Sequence, residues 1–68
     1  MKAELIGHVN YLSDRWCVYR MPGKPGDLHD WYYGIEIEGR EPPYCSHSSL
    51  RSALFRFCRP RFVPLPQN

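Results

Sequence analysis

Residues 48–59 read Ser-Ser-Leu-Arg-Ser-Ala-Leu-Phe-Arg-Phe-Cys-Arg, and the way this stretch folds decides what the rest of the chain packs against. At about 100° per residue on a helical wheel, Leu50, Ala53, Leu54 and Phe57 gather on one side, a stripe fit to be buried. Phe55 lies away from that stripe, with Arg51 and Arg59 one turn to either side of it. The spacing predicts a helix over about 47–59. Ser46 or Ser48 would start it as an N-cap, and Pro60 would stop it by turning the preceding residue away from helical backbone.

A buried stripe needs a receiving surface, and residues 31–38 supply one. Trp31, Tyr33, Ile35 and Ile37 alternate with Tyr32, Gly34, Glu36 and Glu38, so one face packs and the other meets water. Gly39 to Pro43 ends that strand. Upstream, Arg15 to Arg20 is rich in aromatic and β-branched residues and reads as another strand. Residues 3–12 read as a first strand whose register stays open, because both alternating sets contain apolar members. Residues 21–30, with Pro22-Gly23 and Pro25-Gly26, form a clear break. The expected fold is α+β, with a three-stranded antiparallel sheet (about 3–12, 15–20 and 31–38). One C-terminal helix (about 47–59) packs on one face, and residues 60–68 follow as an extended Pro-rich tail. Residues 1–68 make one small domain.

A 68-residue chain hides only about 60% of its unfolded surface on folding, so the core is thin unless stapled or shared with a second copy. Cys17, Cys45 and Cys58 are an odd number, and no secretory signal pattern is read at the N-terminus. The expectation is a cytoplasmic protein with reduced thiols, for which homodimerisation would complete a small core. No apolar run approaches the roughly 20 residues of a membrane span. Net charge is +2, yet the distribution is uneven. Residues 1–38 carry four basic and six acidic side chains, whereas residues 39–68 carry five arginines and only Glu41.

Motifs for chemistry are sparse. Cys45, His47 and Cys58 could supply metal ligands, but no paired Cys-x-x-Cys element accompanies them, and no metal or other cofactor is expected. No nucleophile elbow or recognisable catalytic spacing joins the cysteines, histidines and aspartates, so no enzyme is expected and no catalytic residue is assigned. Glu36 and Glu38 share a strand face, which solvation explains. The serines near residue 48 serve as caps before they serve as a phosphate site.

Binding is the remaining class. An aromatic between arginines has the residue types enriched at protein hot spots, and a protein partner is expected at Arg51, Phe55, Arg59, Arg61 and Phe62. The competing expectation buries Phe55 under the tail, against Phe62 or Leu65. An alternative nucleic-acid reading uses the sheet face, with Arg15, Arg20, Tyr19 and Tyr32, or the arginine-rich C-terminal half. Glu36 and Glu38 on the Tyr32 face oppose it by repelling phosphate. The sequence therefore points to a non-catalytic small regulator or inhibitor that occupies a protein partner's surface. By analogy of size, it would suit a phage or mobile element acting on a host system.

Overall fold

In a computed structural model, which describes residues 3–66, the alternating stretches of the N-terminal half form an antiparallel meander. Its strands are β1 (Glu4–Tyr11), β2 (Asp14–Pro22) and β3 (Trp31–Ile37). Leu12 and Ser13 make the tight turn between β1 and β2, where Tyr11 pairs with Asp14 and Leu12 takes a φ of 55°. The register left open by residues 3–12 is resolved by a bulge between Leu5 and Gly7. One extra residue lets Ile6 pack against the core before the bulge-shifted alternation brings Val9 there too. Val18 pairs with Ile35, and Val9 with Trp16, so one face of the sheet carries the buried cluster of Val9, Val18 and Ile35.

The crossing segment departs from the expected helix over about 47–59. Only Leu50–Ala53 is helical (α1), capped by Ser49, whose Oγ accepts the Ser52 N–H at 3.0 Å. Ala53 and Leu54 donate to Ser49 and Leu50, one α-helical turn back. Phe55 and Phe57 then donate to Ser52 and Leu54, only three residues back, and the chain continues in tight turns. The local composition explains the truncation. A short helix barely repays its nucleation, Ser, Phe and Cys are indifferent helix formers, and no acidic residue offsets the arginines. The inner stripe is nevertheless buried as its spacing implies: Ala53, Leu54 and Phe57 are covered, and Leu50 is half-buried. Tight turns at the same spacing bring the same side chains inward. The Phe57 ring packs between Tyr11 and Trp16, at centroid distances of 4.8 and 5.4 Å.

The tail also differs from expectation, because the sheet has four antiparallel strands rather than three. Phe62–Pro64 forms β4, which pairs with β1 to give the order β3-β2-β1-β4. The prolines that argued against a strand do not exclude one at an edge. The Leu65 N–H donates to Ile6 at 3.0 Å, so residues of that parity face β1. Pro64, the proline within β4, falls on the other parity, where a backbone N–H would point away from β1. Its missing donor breaks no ladder bond, and it blunts the outer edge. The opposite edge is covered as well. Tyr33 and His47 exchange both backbone hydrogen bonds, at 2.7 and 3.0 Å, and Glu36 accepts the Ile37 N–H at 2.9 Å. On the way to His47 the chain lays Pro43 and Cys45 against Gly34, on the face opposite the core. No described helix is long and apolar enough to cross a membrane.

A candidate binding surface around Phe55

Two residues apart, Phe55 and Phe57 have opposite fates. Phe57 is 5% exposed, whereas Phe55 is 87% exposed. The tail does not claim Phe55. Phe62 turns inward, half-buried against the core, and its ring occupies the space above Gly7, where a Cβ would lie 2.6 Å from it. Phe62 is thus a packing residue more than a contact residue. Because α1 ends at Ala53, Arg51, Phe55 and Arg59 are not stacked one turn apart as the wheel implied. Arg51 and Phe55 still share one groove, whereas Arg59 is not part of its lining and sits in the left-handed region at φ 51°.

Leu50, Arg51, Leu54, Phe55, Phe57 and Pro60 line a groove of about 500 Å³. Its lining is apolar apart from Arg51. Arg51, Arg56, Arg59 and Arg61 are all exposed, and among the described residues no carboxylate reaches any of them. Arg56 lies over the Trp16 ring, 5.5 Å from its centroid. The wheel reading had passed over Arg56 and the groove. The available signal was the absence of any acidic residue after Glu41.

The residues of the alternative reading do not converge. Strand alternation puts Arg15, Tyr19 and Tyr32 on the face away from the core and Arg20 on the core side. Both arginines are engaged. Arg20 donates to Glu4, Nε to Oε2 at 3.1 Å, and its guanidinium lies 3.9 Å from the centroid of the Trp31 ring. Arg15 pairs with Glu38 at 3.7 Å. Burial first, then the neighbouring Cys17 and the carboxylates Glu36 and Glu38, push the Tyr19 phenol above its ordinary value. Tyr32 stacks edge-on against His29 at 5.9 Å and borders a second cavity of about 610 Å³, shared with Met21, Lys24, Asp27, Tyr44 and Cys45.

The residues once considered for metal are dispersed. Cys45 is buried and Cys58 exposed, while His47 Nδ1 hydrogen-bonds Ser52 Oγ at 3.2 Å. Among the described residues no three His, Cys, Asp or Glu side chains gather as a metal site would require. Burial raises the Cys45 thiol, which keeps it in the unreactive protonated form. No family model, curated protein or solved structure matches the chain.

Proposed function

We propose that this chain is a non-catalytic, cytoplasmic binding protein, a small regulator or inhibitor that captures a protein partner through the surface around Phe55. One observation carries the reading: Phe55, 87% exposed, borders an apolar groove that Arg51 also lines, in a segment whose arginines meet no carboxylate among the described residues. Leaving a large aromatic in water is unfavourable unless something covers it, and hot spots combine such an aromatic with arginine. Arg61 extends the run of exposed arginines past Pro60. The test is capture from nuclease-treated lysate by the wild-type chain, Phe55→Ala and Arg59→Glu. Both variants should keep the wild-type circular dichroism spectrum and lose the captured protein. Undiminished capture by both removes this surface from the function.

Nucleic acid is the second reading, favoured by the same four exposed arginines, which meet no carboxylate among the described residues. Phosphate contacts would make affinity fall steeply with salt. Retention on duplex DNA at low salt, released by moderate salt and weakened by Arg59→Glu, would support it over a protein partner.

A further inference from the structure

We infer that the groove beside Phe55 receives an acidic protein segment, whose apolar side chain enters the groove while its carboxylates meet Arg51, Arg56, Arg59 and Arg61. The inference rests on the binding reading above and names the chemistry of the partner. Charge is the first argument. Among the described residues no carboxylate comes within ion-pair distance of these four guanidiniums, whereas Arg15 and Arg20 are each paired. Arginine's planar fork suits carboxylates, and several within residues 51–61, one of them lining the groove, favour a partner bearing several.

The groove is the second argument. Leu50, Phe55 and Pro60, over the buried Leu54 and Phe57, offer carbon surface that a phosphate backbone would leave unfilled, but an aliphatic or aromatic side chain would cover it. Phe55 forms one wall and would be buried by the same event. A second copy of this chain is a poor occupant. A two-fold contact brings a surface against itself, setting these arginines against their own counterparts. Pairing through the sheet is also obstructed, by Pro64 on β4 and by His47 against β3.

The experiment uses fluorescence anisotropy with the full chain and synthetic probes. They are an acidic peptide carrying Glu and Asp around a central Leu-x-x-Trp, its Gln/Asn counterpart, its counterpart with Ala for Leu and Trp, and a single-stranded and a duplex oligonucleotide. The acidic apolar peptide should bind at least about tenfold more tightly than either peptide counterpart. Phe55→Ala should weaken it by about thirtyfold, the loss typical of a hot spot. Arg59→Gly should weaken it by about fivefold while preserving the fold, since glycine accepts the left-handed backbone that arginine holds here. Equal affinity for the Gln/Asn peptide, or tighter binding of either oligonucleotide, overturns the inference. If the acidic peptide is ignored while Phe55→Ala still abolishes capture from lysate, the acidic segment is wrong and the binding surface stands. If capture also survives Phe55→Ala, both fall.

Discussion

Arg15 and Arg20, on β2, each meet a carboxylate, Glu38 at 3.7 Å and Glu4 at 3.1 Å, while Arg51, Arg56, Arg59 and Arg61, in and just after the crossing segment, meet none among the described residues. The contrast extends to the backbone. The sheet's inner strands are paired on both sides and its β3 edge is bridged at Tyr33 and His47, whereas the crossing segment has one helical turn and then tight turns with hydrogen bonds three residues back. Its inner side chains are as buried as those of the strands. The sheet satisfies itself, and the crossing segment satisfies itself only inwardly. A surface whose charge and aromatic area are left unmatched is where a partner contributes most.

The sharpest way to break this comparison is to truncate the two phenylalanines separately. Phe57→Ala removes the ring between Tyr11 and Trp16, and core Phe→Ala changes cost about 3–5 kcal/mol. In so small a chain that approaches the whole stability, so the near-ultraviolet dichroism and cooperative melt should disappear. Phe55→Ala, an exposed change, should alter stability by no more than about 0.5 kcal/mol. Equal destabilisation by the two would show that the segment has no inner and outer side.

Gly7→Ala probes the junction between the sheet and its last strand. A Cβ there meets the Val63 carbonyl oxygen and comes within 2.6 Å of the Phe62 ring. One of them has to move, and overpacking of this kind costs about 1–3 kcal/mol. Hydrogen exchange should quicken most at the Leu65 amide, which is bonded to Ile6. Uniformly faster exchange through β2 and β3 instead would mean that β4 is not a separable edge.

The period-two pattern of residues 31–38 made β3 legible, because alternation and burial coincide there and the neighbouring strand reinforces both. The same reasoning failed on residues 47–59 for an instructive reason. A stripe at i, i+3, i+4 and i+7 marks what is buried, but helix and successive tight turns bury it equally well, and nothing in that pattern chooses between them. The tail was misread because proline was weighed as a strand breaker in general. What mattered was whether the parity of residue 64 faces the neighbouring strand, and that depends on a partner far away in sequence. The wheel sets Phe55 off the buried stripe but does not decide whether the tail covers it, and the groove it borders depends on turns that no local pattern specifies.

Ser49→Ala sharpens the account of the one helical turn. Its hydroxyl satisfies the Ser52 N–H, and loss of an N-cap costs about 1 kcal/mol. The midpoint of urea unfolding should fall with the slope unchanged. An unchanged midpoint would mean that the turn is held by the burial of Ala53 and Leu54 alone.

The smallest effect separates the two regions by pH. Cys45, just ahead of α1, and Tyr19, on β2, are both raised above their ordinary values of 9.0 and 10.0, each chiefly by burial. A raised acid keeps its proton in the folded chain at a pH where the unfolded chain has already released it. The stabilisation is therefore complete below the ordinary value and is lost as pH rises through the folded one. The melting temperature should hold steady on the acid side of 9.0 and then decline in two stages, the thiol's preceding the phenol's. Cys45→Ala should remove the first stage and leave the second, and Tyr19→Phe should do the reverse. If Cys45→Ala leaves the alkaline profile unchanged, the thiol against Gly34 is not what couples the crossing segment to pH, and the sheet alone sets the alkaline limit.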